Sequence, residues 1–354
     1  MSSPALWATD RTYSWLYELL DQSGKLVRTL TAARGFAWTW DLDAATRGTG
    51  SLTVSASASS TSPLDQVDDW ERYRLRVSHV LYPQDGSTPI VTPVVHAIAI
   101  APRGASPRRD TTLTLLDVSN QLVTTLPLYG QSICFGAGYS VTDALAYLFT
   151  SALVSSYAIS SSAAVLRADM AWTPEVPYSQ IARELCDVAG FAAPYARLGT
   201  LVVEPYVIPV NRPLAMTLFV DGAFGITDPD WTVAEDDRPN RLIVTGQTTG
   251  TETLPTDVYF TYQEDVADAT TRGRWVIERR TDVAAADLAT FNAYVAAAWA
   301  EVRAPRETLT IRHLFDPRLW GNVNVLYRDV LWTVVKQEVS ADSYLITTTA
   351  KRVS

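Results

Sequence analysis

The sequence predicts an α+β protein that is mainly β. Short runs with a period of two, rich in Val, Thr and aromatic residues, fill 12–125 and return between 206 and the C-terminus. Helical periodicity is confined to a few stretches, chiefly 140–154, 178–189 and 282–303. A chain of 354 residues with 47% hydrophobic and 19% charged side chains, 11 Trp, 16 Tyr and 9 Phe can bury more than one core. It is too apolar to be disordered.

Residues 12–31 fit a helix through Trp15, Leu16, Leu19 and Leu20, or a hairpin through Tyr13, Trp15, Tyr17 and Leu19. The β-formers and the turn at Gln22-Ser23-Gly24 favour the hairpin, with Leu26-Val27 beginning the return. Phe36, Trp38, Trp40 and Leu42 alternate in the next strand, and Ser51–Ser55 follows it. A small-residue loop at 55–63 leads to a strand at Arg72–Val77 with three arginines on one face. Asp65, Asp68, Asp69 and Glu71 lie just upstream, so a solvated or salt-bridged edge is expected there. A strand from Val94, a polar loop Pro102–Asp110 and a second strand close the region with Asp117-Val118-Ser119-Asn120-Gln121-Leu122. Six or more short strands at near-regular spacing suggest a sandwich or barrel.

Residues 126–205 change character. Ser140 or Thr142 can cap a helix whose apolar side is Ala144, Leu145, Leu148, Leu153 and Val154. After a serine-rich stretch, Pro177 starts a second helix striped by Tyr178, Ile181, Leu185 and Val188, with Gly190 placed for a left-handed cap. Residues 192–196 and 201–203 then flank Arg197-Leu198-Gly199 as a hairpin. This αββ unit is the best-punctuated part of the chain.

Strands resume at 206–235, Met216–Val220 being the clearest, and the acidic linker Glu235-Asp236-Asp237 ends them. Three further strands open at Arg241, Val258 and Arg274. A long helix is expected from Asp282 as cap to about Val302, with Leu288, Phe291, Val295 and Trp299 on its buried face. The chain then runs through Glu307–Ile311, Pro317–Val325, Trp332–Val339 and Tyr344–Thr349.

In order and pattern these elements resemble bacteriophage tail hub proteins of long-tailed phages, relatives of which serve contractile injection machines. The resemblance rests on the helix-Gly-hairpin unit of 178–207, the strand–loop–strand ending at Asp117–Leu122, and the close of the chain. That close has an alanine-rich helix, then Pro317-Arg318-Leu319-Trp320-Gly321-Asn322-Val323 and a last Thr-rich strand. Asn322 stands where the pattern often has aspartate, and could make the same turn-side hydrogen bonds.

The resemblance implies two small antiparallel β-barrel domains with α/β elements between and within them. The first barrel would span 1–125, with 206–235 as candidate return strands to complete it. The inserted α/β module would span 126–205, and the second barrel 236–354 with its inserted helix 282–303. It further implies a homotrimer closing the distal end of the tail tube in the virion, assembled in the host bacterial cytoplasm. The implied partners are the distal tail or tail tube protein, the tape-measure protein, and receptor-binding or fibre proteins, with DNA only in transit. Two barrels in each of three chains would match a six-fold tube.

The chemistry of the sequence points away from an enzyme. His79, His96 and His313 are far apart, and no metal, nucleophile-elbow or phosphate-loop motif occurs. No catalytic, cofactor or metal residues and no cofactor are therefore assigned. Cys134 and Cys186 stand alone and are expected to be buried thiols. A net charge of −9 disfavours tight nucleic-acid binding. No apolar run approaches about 18 residues, so no membrane span is expected, nor is a signal peptide in MSSPALWATDRT. Hubs of this kind sometimes carry wall-degrading domains behind them; with Ser354 directly after the last strand, none is expected here. The alternative function is a carbohydrate-binding or wall-degrading tail-tip β-protein using exposed tryptophans as sugar platforms.

Overall fold

A computed structural model describes residues 12–42, 44–55, 72–83, 86–101, 110–127, 131–218, 230–233, 238–248, 258–285, 288–303, 307–319, 321–343 and 345–353. The chain divides into two units: Met1–Pro229 with Thr310–Ala350, and Asp230–Leu309 with Lys351–Ser354.

Among its described residues the first unit opens with β1 (Thr12–Leu20), β2 (Leu26–Thr29), β3 (Ala33–Asp41), β4 (Gly48–Val54), β5 (Arg74–Tyr82), β6 (Ile90–Ile100) and β7 (Thr111–Leu116). The first hairpin forms as expected, because Asp21 Oδ1 accepts from the backbone of Ser23 and Lys25 and closes the turn. A short helix α1 (Asn120–Thr124) follows. The α/β portion holds β8 (Ile133–Phe135), α2 (Val141–Ser151), β9 (Tyr157–Ile159), β10 (Met170–Trp172), α3 (Tyr178–Ala189), β11 (Tyr195–Arg197) and β12 (Thr200–Val203). Next come β13 (Leu214–Thr217) and, in the second unit, β14 (Asp230–Val233), β15 (Arg241–Thr248), β16 (Val258–Glu264), α4 (Val266–Arg272), β17 (Ile277–Ala285) and α5 (Leu288–Arg303). The last strands are β18 (Glu307–Leu314), β19 (Asn324–Tyr327), β20 (Val330–Ser340) and β21 (Leu345–Arg352). Among the described residues no helix is long and apolar enough to cross a membrane.

Among the described residues the fold is mainly β with five α-helices, and one large sheet dominates it. Within the first unit its order is β18-β21-β20-β3-β4-β7-β6-β5-β1-β2, with β19 branching from β20 and β13 from β19. Two small antiparallel β-barrels were expected; among the described residues no barrel closes, the strand path being open at β2, and β13–β19, β9–β12 and β15–β17 are parallel. The expected second domain, 236–354, is divided. Its last strands join the first β region because β20 pairs with β3, from Lys336 opposite Asp41 to Ser340 opposite Ala37. The return strand β13 likewise pairs with β19 and not with a strand of 12–125. One core, with Leu19, Phe36, Trp38, Leu52, Leu75 and Leu113 among its members, reaches Val339 and Ile346 from the end of the chain.

The α/β portion has its own core, in which Leu145, Leu148, Phe149, Ile181, Leu185 and Leu201 are wholly buried. Ser140 caps α2 as expected, its Oγ accepting from Asp143 N at 3.4 Å. Helix α2 stops at Ser151, however, so Leu153 lies beyond it with a left-handed backbone and is 80% exposed. Helix α3 runs from Pro177 as N-cap to a left-handed Gly190, and the hairpin turns through left-handed Leu198 and Gly199. Of its expected apolar stripe only Val188, in the last turn, faces solvent.

In the second unit the sheet order is β16-β15-β17, with α5 packed on one face. Here the expected start of the long helix is corrected. Asp282 lies inside β17, whose Val283–Ala285 pair with Gly246–Thr248 of β15, and the helix begins at Leu288. The alanines that read as helix are drawn into a parallel pairing, where tertiary contact overrides propensity. Leu288 is exposed and Trp299 half-buried, whereas Phe291, Val295, Ala298 and Val302 form the buried face. Gly246 is required by this packing: a Cβ there would stand 2.5 Å from Val283 O and 2.6 Å from the Phe291 ring.

The acids Asp65, Asp68, Asp69 and Glu71, the linker 235–237 and Phe219-Val220 lie outside the described residues, as do nearly all of the loops 55–63 and 102–110.

Candidate functional site

The residues that could carry chemistry are engaged elsewhere. His79 is buried between aromatic rings, 5.6 Å from Tyr13, 5.3 Å from Trp15 and 4.6 Å from Phe315 by centroid. Burial on strand β18 pushes the His313 imidazolium down; its Nδ1 lies 2.6 Å from Leu314 O and therefore carries the proton. Its Nε2 accepts from Thr348 Oγ1 at 2.8 Å, and Thr348 in turn accepts from Gln337 Nε2 at 3.3 Å. Both ring nitrogens are thus committed to structure. His96 is half-buried, and burial with the charge of Arg76 pushes its pKa down to about 4, Glu18 acting the other way.

Burial, aided by Asp187, pushes the Cys186 thiol up to about 12, which leaves it a poor nucleophile. Cys134, expected buried, is exposed, because β8 turns Ile133 and Phe135 inward and its middle residue outward. The arginine ladder of 72–76 is not at an edge: β5 lies between β1 and β6. Arg76 Nε donates to Glu18 Oε2 at 2.7 Å across the β1–β5 pair. Among the described residues no group of three or more His, Cys, Asp or Glu is placed to hold a metal.

Two polar clusters fix the corners of the first unit. Asp117, at the close of the β7 pattern, is buried and accepts from Gly48 N at 2.6 Å and from Ser119 N at 2.8 Å, with Ser119 Oγ as a further donor. Arg47 beside it stacks over Tyr195 of β11 at 5.6 Å, which ties the large sheet to the α/β portion. Asn324 is wholly buried and donates to Pro209 O at 2.7 Å and Arg212 O at 3.2 Å, fixing the path into β13. Asn322 does not make the expected turn-side hydrogen bond. Its buried Oδ1 has no partner among the described residues, and its left-handed backbone, φ 56°, is one that asparagine tolerates.

The second unit carries a charged cluster. Asp268 meets Arg272 at 3.1 Å, Arg303 at 3.4 Å and Arg238 at 3.6 Å, and Arg303 also reaches Asp265 at 2.5 Å. Desolvation raises the Asp268 pKa, but Arg272, a hydrogen bond to Asn240, Arg303 and Arg238 outweigh it and hold it low.

What the sequence did not single out is the other face of the three-stranded sheet. Leu242 and Val244 of β15 point to α5, so Arg241, Ile243 and Thr245 point away from it. The register sets Glu264, Tyr262 and Phe260 opposite these three on β16, and Ile277 and Arg279 opposite Arg241 and Ile243 on β17. Phe260 is 66% and Tyr262 54% exposed, and Trp275, 39% exposed, covers the Arg241 guanidinium at 4.0 Å. Arg241 Nη2 donates to Glu264 Oε2 at 2.6 Å.

No protein-family model and no curated protein matches the chain. Solved structures do. A tail protein from Neisseria meningitidis aligns over 96% of this chain and 96% of its own, with TM-score 0.61 and 16% identity. The 43 kDa tail protein of prophage MuSo2 from Shewanella oneidensis aligns over 96% and 98%, with TM-score 0.56 and 12% identity. A chain of the Francisella PdpA–VgrG complex aligns over 98% of this chain and 58% of its own, with TM-score 0.54 and 7% identity. At these identities the likeness is one of architecture, and on it the chain has the fold of phage tail proteins.

Proposed function

We propose that the chain is a structural hub of a long phage tail, closing the distal end of the tail tube, anchoring the tail-tip proteins and leaving a channel for DNA. The observation that carries this reading is the end-to-end likeness of fold to two tail proteins, aligned over 96% and 98% of their own lengths. In this reading three copies form a ring at the tail tip, with the β regions of each chain serving as two barrel-like units against a six-fold tube. Its neighbours are the distal tail or tail tube protein, the end of the tape-measure protein, and receptor-binding or fibre proteins. The ring is built in the host bacterial cytoplasm and carried in the virion.

The role is passive. The buried polar groups at His313, Asp117 and Asn324 spend their hydrogen bonds on the fold, which suits a structural part. DNA must slide through such a ring, and a basic wall would hold its phosphates through counterion release. The −9 charge of each chain supplies carboxylates for an acidic wall, and these act within about 8–10 Å at physiological salt.

Deleting the chain from a phage that encodes it should yield tails without a closed tip and no infectious particles, with rescue by the chain supplied in trans. Normal infectious tails lacking the chain would contradict the proposal. The purified chain should also leave peptidoglycan and polysaccharide intact on a zymogram; reproducible clearing would overturn the non-enzymatic part.

A further inference from the structure

We propose that the open face of the β15–β16–β17 sheet is where one copy of this chain grips the next in a closed ring. The inference rests on the hub reading above. A sheet normally buries both faces or keeps one polar, and here α5 fills one side while rings line the other. Three rings at 39–66% exposure leave roughly 240–400 Å² of aromatic surface, taking about 150–250 Å² for each whole side chain. That matches the largest patch of a typical monomer, about 300–600 Å². It suits the centre of an interface of about 800 Å² per partner. Trp, Tyr and Arg around an apolar middle are also the residues that dominate binding energy in protein interfaces.

Charge selects the occupant. Arg241 is neutralised by Glu264, whereas Arg279 is exposed and has no ion-pair partner among the described residues. Among the described side chains the face thus presents one unpaired cation, Arg279, on a chain whose net charge is −9. A two-fold contact of the face with itself would bring Arg279 towards its own copy. Contact with a different, acidic surface of the next copy avoids this, and such a head-to-tail contact gives a ring when its rotation closes, as the hub reading requires.

The test places a photocrosslinker on the face, Tyr262→p-benzoylphenylalanine, in full-length chain assembled into tails, with a melting curve to confirm folding. Irradiation should give a band at twice the 38.9 kDa of one chain, made of two copies by mass spectrometry. Arg279→Glu should reduce that band at least threefold, and Phe260→Ser should nearly abolish it. Crosslinks to another tail protein, to a glycan or to DNA, or none at all in tails that contain the chain, would overturn the proposal while leaving the hub reading in place. Tails that lack the chain altogether would sink the hub reading itself.

Discussion

Phe36 and Phe260 both sit inside strands of alternating pattern, yet Phe36 is wholly buried and Phe260 is 66% exposed. In the first unit Phe36 meets Trp15 at 5.4 Å and Tyr17 at 6.1 Å, inside a core drawn from both ends of the chain. In the second unit, among the described residues, a three-stranded sheet is covered by α5 on one face, and the side chains of its other face meet no described layer of the same unit. The same residue type thus stabilises one unit and, on our proposal, joins copies through the other.

The largest expected effect is on that pair. Phe36→Ala should cost about 3–5 kcal/mol of stability, as ring truncations in cores do, whereas Phe260→Ala should stay within about 0.5 kcal/mol. Denaturant unfolding of both variants reads the difference, and equal losses would erase the contrast. Next in size is Asp117→Ala, which strands the Gly48 and Ser119 N–H groups in a buried corner and should cost about 2–4 kcal/mol. Asp268→Ala, in the more open cluster of the second unit, should lower stability less in the same assay.

The remaining expected difference lies in the pH at which each unit loses stability. The folded His96 pKa of about 4 lies below its usual 6.5, so the unfolded chain binds more protons between these values. Its contribution is therefore intact above about 6.5 and is lost as pH falls towards 4. All three histidines belong to the first unit. Asp268, held low, keeps its contribution above the usual carboxylate range and loses it only as pH falls below that range. Titration melts should show the first unit losing stability at higher pH than the second, and His96→Gln should flatten its limb. Loss in the reverse order would break the comparison.

Local signals were legible wherever the chain closes its own hydrogen bonds. Helix α3 was readable because Pro177, Gly190 and the Ile181–Leu185 stripe are all decided within a dozen residues. The turns at Gly24 and Gly199 and the cap at Ser140 were readable for the same reason. The pairing of Lys336 with Asp41 was not, since a strand's pattern names no partner strand. The start of α5 was misplaced because Val283–Ala285 read as helix by propensity and are strand by pairing. The aromatic face was invisible for a related reason: Phe260 and Tyr262 alternate in the same way whether the face is covered or open. Cys134 shows the converse, an apolar-looking residue turned outward by the two-residue period of β8.

The most direct test of the hub account is the position and copy number of this chain in purified tails, by cryo-electron microscopy with a tag at the C-terminus. The account predicts three copies in a ring at the distal end of the tube, with the β16 face of each against its neighbour. A chain found along the tube or in the capsid, or a tip ring with another copy number, would contradict it.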